Sequence, residues 1–242
     1  SGGAVTIGSL DIGHGAGGTT NTAVGTDALD NSHASATHNT AIGNEALTAT
    51  HTATADYNTM VGSTAGAAIT SGLSNTGVGY AVLDETSTGS RNSALGYGAL
   101  GAVCVDDNVA VGYEALNDFT GSNATAVGSY AADAATNASD LTAVGKNALG
   151  ACTEGNDNTA VGSNALGLLV GTGTSAGTGG DYNTVMGSYA GYVTTGSSNT
   201  YIGRYAGVFA DTTDDCIAIG RSALGGVTGD RVDGNYYIAI GN

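Results

Sequence analysis

The four histidines are the side chains best suited to acid–base chemistry, and all lie in the first fifth of the chain: His14, His33, His38 and His51. Serine and aspartate occur throughout the neighbouring segments, so a Ser/His/Asp grouping around any histidine has no specificity. His33 and His38 could share a metal ion, but the residues around them show no ligand spacing. The sequence predicts no enzyme, no catalytic residue and no cofactor.

Two short carboxylate clusters could supply hard oxygen ligands for calcium. They are Asp106-Asp107-Asn108 and the DTTDD segment from Asp211 to Asp215. Neither matches the EF-hand loop or the glycine-rich calcium repeat, so solvated turns explain them better. The three cysteines, Cys104, Cys152 and Cys216, match no zinc or redox spacing and are predicted to be small buried thiols. No metal site is predicted.

Composition indicates an ordered repeat with many tight turns. Glycine supplies 42 of 242 residues, proline and tryptophan are absent, and 41% of the residues are hydrophobic. That apolar content disfavours disorder. The net charge of −16 disfavours binding to nucleic acid or to an anionic membrane. No apolar run is long enough for a membrane span, and no secretory leader opens the chain.

A nonapeptide of the form NTAVGxxAL recurs along the whole chain, with a period near 17 residues. Such a period is typical of a solenoid. The glycine of each copy is predicted to be a turn residue. Besides copies at Gly8 and Gly241, these turn glycines are Gly25, Gly43, Gly62, Gly79, Gly96, Gly112, Gly128, Gly145, Gly162, Gly187, Gly203 and Gly220.

The residue before each glycine is always Ile, Val, Leu or Met, and a β-branched or small hydroxyl residue lies two places earlier. Positions two apart share one face of a strand, so this pair is predicted to point into the core. The predicted core column contains Val24, Ile42, Val61, Val78, Val111, Val144, Val161, Ile202, Ile219 and Ile240. Alanine usually lies between the pair, on the opposite face, where another backbone is expected to approach closely.

Two further features complete each copy. An alanine three places after the glycine, usually followed by leucine, predicts a second inward-facing segment, as in Ala28-Leu29 and Ala148-Leu149. An asparagine that opens nine copies is predicted to serve as a turn residue and to stack as a hydrogen-bonded ladder. These asparagines are Asn21, Asn39, Asn58, Asn75, Asn92, Asn108, Asn158, Asn183 and Asn199.

The predicted fold is an all-β, parallel β-solenoid of about fourteen short coils, forming one domain over residues 1–242. Inserted loops are expected near 167–182 and 225–237. Insertions in solenoids emerge as loops on one face, so Tyr182, Arg231 and Tyr236 are candidate partner contacts, together with tyrosines expected to be exposed at Tyr189, Tyr192, Tyr201 and Tyr205. The alternative is a tolerated insertion whose tyrosines pack across coils. Because the predicted core is thin, oligomerisation is expected to add burial.

The phrases NTAVGxxAL, IAIGRSAL and IAIGN resemble the YadA-like head repeat of trimeric autotransporter adhesins and related repeats of bacteriophage tail fibres. The resemblance covers the chain from Val5 to Gly241. It implies a left-handed β-roll, a homotrimer with small alanines where the chains meet, and a location outside the cell, on a cell surface or a virion. The neck motif, stalk heptads and membrane anchor of the adhesins have no counterpart here, which favours a fibre shaft or a free-standing filament subunit.

Three functions therefore remain open. The first is a structural fibre segment of an adhesin or tail fibre that acts in attachment, with a cell-surface or carbohydrate receptor as a possible partner. The second is a subunit of an extracellular filament that polymerises end to end, since both ends of the sequence fall within a copy and no cap is expected. The third is an ice-binding solenoid, suggested by nine threonines in one column from Thr22 to Thr200. That column is expected inside, which disfavours the third.

Overall fold

The structure, a computed structural model, describes residues 5–7, 10–15, 18–50, 52–136, 138–168, 180–210, 212–225 and 234–241. Over these residues it contains strands and turns and no helix. The chain divides into two compact units, Ser1–Asn117 and Asp118–Asn242. The single domain expected over 1–242 stays a prediction. The cores of both expected loops, 169–179 and 226–233, lie outside the described residues.

The first unit contains eight strands: β1 (Val5–Ile7), β2 (Leu10–Gly13), β3 (Thr22–Val24), β4 (Thr40–Ile42), β5 (Thr59–Val61), β6 (Thr76–Val78), β7 (Ser93–Leu95) and β8 (Val109–Val111). Strands β3 to β8 pair in parallel, each with the next. Strands β1 and β2 instead form an antiparallel hairpin, and β2 pairs antiparallel with β3. The prediction that the copy around Gly8 forms a parallel coil is therefore wrong. The connection between β1 and β2 is too short for a parallel crossover and permits only a hairpin.

The second unit contains seven strands, all parallel to their neighbours. They are β9 (Thr125–Val127), β10 (Thr142–Val144), β11 (Thr159–Val161), β12 (Thr184–Met186), β13 (Thr200–Ile202), β14 (Ile217–Ile219) and β15 (Ile238–Ile240). Equivalent residues of successive repeats stand in register, as Thr142 does with Thr159. The predicted parallel β-solenoid with a period of about 17 residues is thus confirmed.

The turn glycine ends each strand in a conformation that other residues rarely adopt. All twelve predicted turn glycines have φ between 124° and 150°. A Cβ at Gly162 would lie 2.6 Å from the carbonyl oxygen of Gly187, the equivalent glycine of the next coil. The backbone N–H of Gly162 meanwhile donates to the carbonyl of Val144 on the preceding coil. Glycine therefore satisfies both the turn and the close stacking of coils.

In strands β3 to β14 the middle residue points inward, and its two neighbours point outward. Ala41, Ala110, Ala126, Ala143 and Ala160 are fully buried. The flanking residues of strands β3 to β14 are half-buried or exposed. Strand residues alternate between faces, so a buried alanine forces its neighbours outward.

The predicted core column is therefore wrong. Val24, Val61, Val111, Val144 and Val161 are half-buried on the outer face. Ile42, Val78, Ile202, Ile219 and Ile240 are exposed there. The physical reason is that the coil is narrow. The leucines of the Ala-Leu pairs already fill part of its interior, so the strand can place alanine there but not a column of valine and isoleucine. The alanines consequently line the interior of one chain rather than an interface between chains.

The Ala-Leu pair forms the other half of the core. Ala46, Leu47, Ala148 and Leu149 are all fully buried. The segment is a turn rather than a second strand, and Leu47 has a φ of 52°. Its N–H donates to the carbonyl of Ala65 on the next coil at 3.0 Å. This intercoil bond and the burial of leucine, about 1.5 to 3 kcal/mol for such a side chain, offset the left-handed conformation.

The asparagine ladder predicted from the repeats is present. All nine asparagines are buried. In the first unit the Oδ1 atom of Asn39 accepts the N–H of Asn58 at 2.9 Å, while its Nδ2 donates to the carbonyl of Ala55 at 2.7 Å. Equivalent bonds join Asn183 to Asn199 in the second unit. Each amide thus satisfies buried backbone groups of the next coil.

Candidate interaction surface

The outer strand face presents a regular surface in each unit. In the first unit it presents a column of apolar side chains from Val24 on β3 to Val111 on β8, among which Leu95 is 50% exposed. In the second unit the column runs from Val127 on β9 to Ile240 on β15, and Met186 is also 50% exposed. Apolar columns exposed at this regularity are characteristic of surfaces that another molecule covers.

A threonine column runs beside this apolar column on the same outer face. Thr22, Thr40, Thr59 and Thr76 stand in register in the first unit, followed by Ser93. Thr125, Thr142, Thr159, Thr184 and Thr200 do the same in the second. The nine threonines are half-buried or exposed, so the expectation that they lie inside is wrong.

No family model, no curated protein and no solved structure matches this chain. The likeness to YadA-like repeats accordingly stays a prediction from the repeated motif, as do the left-handed coil and the trimer. The surfaces themselves carry the functional argument.

Three tyrosines extend the outer surface of the first unit. Tyr80, Tyr97 and Tyr113 each follow a turn glycine. The ring centroids of Tyr80 and Tyr97 are 5.3 Å apart, and those of Tyr97 and Tyr113 are 5.1 Å apart with nearly parallel planes. The rings stack across successive coils, and each tyrosine is about half exposed. This stack is suited to holding coils together and to packing against a flat partner.

Three of the four histidines lie within the described residues, where each makes local contacts. Within the described part of the chain, no group of three His, Cys, Asp or Glu residues is close enough to hold a metal ion. His14 Nδ1 donates to the carbonyl of Asn21 at 2.8 Å, and the His38 ring stacks on the Tyr57 ring with their centroids 5.0 Å apart. His33 Nδ1 accepts the N–H of Ser35. His51 and Asp211 lie outside the described residues.

The Asp106-Asp107 cluster forms an ion pair with Arg91. Arg91 Nε donates to Asp107 at 2.7 Å, and Arg91 Nη2 donates to Asp106 at 2.8 Å. The hydrogen bonds from Arg91 hold the pKa of Asp107 below its ordinary value. A guanidinium and two carboxylates at an exposed corner make a link between adjacent coils.

The three cysteines are free and buried thiols, as predicted from their lack of any zinc or redox spacing. Cys104 accepts or donates a hydrogen bond with the Thr86 hydroxyl at 3.1 Å. Burial raises the pKa of the Cys104 thiol. Burial, followed by the nearby charge of Asp181, raises the pKa of Cys152 to about 12. Such thiols are poor nucleophiles at neutral pH.

Two of the three candidate partner contacts are exposed but do not converge. Tyr182 is 63% exposed and Tyr236 is 78% exposed. Both occupy the same corner position, just before the asparagine column, but they lie three coils apart, about 14 Å at the usual strand spacing. Arg231 lies outside the described residues.

One of the tyrosines expected on the surface is in the core. Tyr201 is fully buried in the middle of β13, and its hydroxyl group is 2.6 Å from Thr213 Oγ1. Tyr189 and Tyr205 lie at the surface with ring centroids 5.6 Å apart, and Arg204 lies over the Tyr205 ring. Tyr192 contacts Tyr189 at 5.3 Å and borders a groove in the second unit.

That groove has a volume of about 260 Å³ and is the site that the sequence did not predict. It is lined by Tyr130, Asp133, Asn147, Gly150, Asn164, Gly167, Leu168 and Tyr192. Its sequence signal is a glycine five places after the turn glycine in two consecutive copies of the repeat, Gly150 and Gly167. The equivalent positions of the copies before and after carry Asp133 and Tyr192.

No helix among the described residues is long and apolar enough to cross a membrane.

Proposed function

We propose that this chain is a non-enzymatic structural segment of an extracellular fibre that acts in attachment and assembles with copies of itself through its outer strand face. The observation that carries the proposal is the apolar column on that face, with Leu95 and Met186 each half-exposed. An exposed apolar column on a regular sheet gains free energy when a second sheet covers it, at about 25 cal/mol per Å² buried.

Assembly side by side is favoured over end-to-end growth because the exposed apolar column lies on the outer strand face of the coils. The motif resemblance further favours three copies. The carboxylates, which outnumber the lysines and arginines, suit a surface that must remain soluble wherever it is not covered.

Light scattering over a concentration series, with electron micrographs of the same samples, tests this proposal. A mass near three chains that does not change with concentration supports the side-by-side assembly. A mass that grows with concentration into long filaments favours the end-to-end alternative. A stable monomer at all concentrations contradicts both.

The outward threonine column supports ice binding as a second candidate function. Regularly spaced hydroxyl and methyl groups on a flat sheet can order water, and the threonines here stand in register over successive coils. Assembly through the same face would cover this column, so the two functions are exclusive for that surface. Ice binding would be established by thermal hysteresis of the monomer that Thr159→Lys abolishes and that Thr153→Lys, at an exposed position outside the strands, leaves unchanged. Absence of thermal hysteresis would contradict ice binding.

A further inference from the structure

We propose that the groove of the second unit is a binding site for a neutral sugar ring. This site would give the proposed attachment role its ligand class, and in that sense it rests on the proposed function. Its binding in solution can nevertheless be measured independently of assembly, because the groove lies among turn residues and not on the outer strand face.

The groove arises where two coils lack a side chain. Gly150 and Gly167 occupy equivalent positions of adjacent coils, so together they leave a notch. Asp133 closes the notch at the preceding coil and Tyr192 closes it at the following coil. A Cβ at Gly167 would lie 2.8 Å from the Tyr192 ring, which shows how closely the ring approaches the notch.

Two stacked amides line the groove. Asn147 and Asn164 are also equivalent residues of adjacent coils, and Asn147 Nδ2 donates to Asn164 Oδ1 at 3.3 Å. Asn164 Nδ2 donates to Ser163 Oγ at 3.0 Å. Each amide nitrogen has two hydrogens, so each keeps a second donor, and the Asn147 oxygen remains an acceptor. Both residues have φ above 50°, a conformation that asparagine tolerates better than most residues.

Aromatic rings provide the second half of the chemistry. Tyr130 and Tyr192 both line the groove, and both are half-buried. A pyranose ring has one face of C–H groups that packs on an aromatic ring and a rim of hydroxyl groups that both donate and accept. Tyrosine rings, amides and one carboxylate match that combination, with apolar contact area and a few polar groups that fix orientation.

Size and charge restrict the ligand. A volume of about 260 Å³ lies just below the range of drug-sized pockets, about 300 to 1,000 Å³, and suits a single sugar ring rather than a longer chain. The lining contains Asp133 and no lysine or arginine, and the whole chain carries a net charge of −16. Both features repel an acidic sugar, so the ligand is a neutral hexoside or N-acetylhexosaminide.

Saturation-transfer NMR with the full chain tests this inference. The probes are the methyl β-glycosides of glucose, galactose and N-acetylglucosamine, with N-acetylneuraminic acid as the acidic comparison. We expect at least one neutral glycoside to bind with a dissociation constant in the millimolar range, and the acidic sugar to bind less well. Absence of transfer from every neutral glycoside at about 20 mM overturns the inference, as does stronger binding of the acidic sugar.

Variants locate the binding. Tyr192→Ala should weaken it about tenfold, whereas Tyr182→Ala, which removes an exposed tyrosine outside the groove, should leave it unchanged. Asn147→Asp keeps the side-chain size and should weaken binding by several-fold. This variant replaces Tyr192→Ala in the test if Tyr192→Ala does not fold. Equal binding by wild type and both groove variants overturns the inference. If a variant that cannot assemble still binds the sugar, the sugar site is supported even though the proposed fibre assembly fails.

Discussion

The Oδ1 atom of Asn75 accepts the backbone N–H of Asn92, the equivalent residue of the next coil, at 2.9 Å. The same side chain donates through Nδ2 to the carbonyl of Gly89 at 2.8 Å. One buried amide thus satisfies a donor and an acceptor of its neighbour. Repeated from Asn21 to Asn108, this relationship fixes the register of successive coils in the first unit.

Replacing a ladder asparagine should therefore be costly. We expect Asn75→Ala to lower the free energy of unfolding by about 2 to 4 kcal/mol, because it leaves the N–H of Asn92 and the carbonyl of Gly89 buried without partners. Asn44→Ala, whose exposed side chain only donates to Thr26 at 3.3 Å, should cost less than about 0.5 kcal/mol. Urea unfolding monitored by circular dichroism measures both. Equal costs would mean that the ladder is not a source of stability.

The turn glycines should tolerate no side chain. Gly162→Ala requires φ near 136° and places Cβ 2.6 Å from the carbonyl oxygen of Gly187, so we expect a loss of about 3 kcal/mol or more. Gly150→Ala is the matched control, because its φ is outside the positive region and its Cβ would meet nothing closer than 3.2 Å. Thermal unfolding of the two variants distinguishes them. A Gly162→Ala protein as stable as Gly150→Ala would contradict the stacking of coils at this turn.

Neighbouring residues of β10 test which face is inside. Ala143 is fully buried and Val144 is half-buried on the outer face. Ala143→Leu should overpack the coil and cost about 1 to 3 kcal/mol, and Val144→Leu should change the stability of the isolated chain by less than about 0.5 kcal/mol. Both substitutions leave a leucine in the strand, so hydrophobicity is matched. The reverse order of costs would restore the inward assignment of the valine column.

The coil period, the turn glycines and the asparagine ladder could be predicted from sequence because each leaves one residue type at a fixed place. The inward face could not be read from alternation alone. T-A-V alternation identifies two faces of a strand but does not say which is enclosed. Leu29, Leu47 and their equivalents carried the missing signal, since leucine inside a coil of this size leaves room only for Ala23 or Ala41 opposite.

The groove and the buried tyrosine were missed for a different reason. Both depend on what stands at the equivalent place in the adjacent coil, as with Gly150 beside Gly167. Tyr201 occupies the usual alanine position of β13, and its partner Thr213 lies in the same coil's long turn. Both features are visible when the copies of the repeat are aligned. Tyr201 stands where most copies have alanine, and Gly150 and Gly167 stand at the same position of adjacent copies.

The Cys152 thiol should be unreactive in the folded protein. Burial raises its pKa to about 12, so almost none is thiolate at pH 8. In a variant that retains only this cysteine, alkylation by iodoacetamide should be at least about a hundredfold slower in the folded chain than in urea. Mass spectrometry of timed samples measures the rates. Equal rates would show that the second unit opens readily around Cys152.

The most direct test of the account compares assembly of two double variants by sedimentation velocity. Leu95→Lys with Met186→Lys places a charge in the outer apolar column of each unit, whereas Glu85→Lys with Thr153→Lys places the same side chains on exposed turns. We predict that the first pair converts an assembly of about three chains to monomers with an unchanged circular dichroism spectrum, and that the second pair assembles as the wild type does. Assembly that survives lysines at both column positions would contradict the central claim that this face joins the copies.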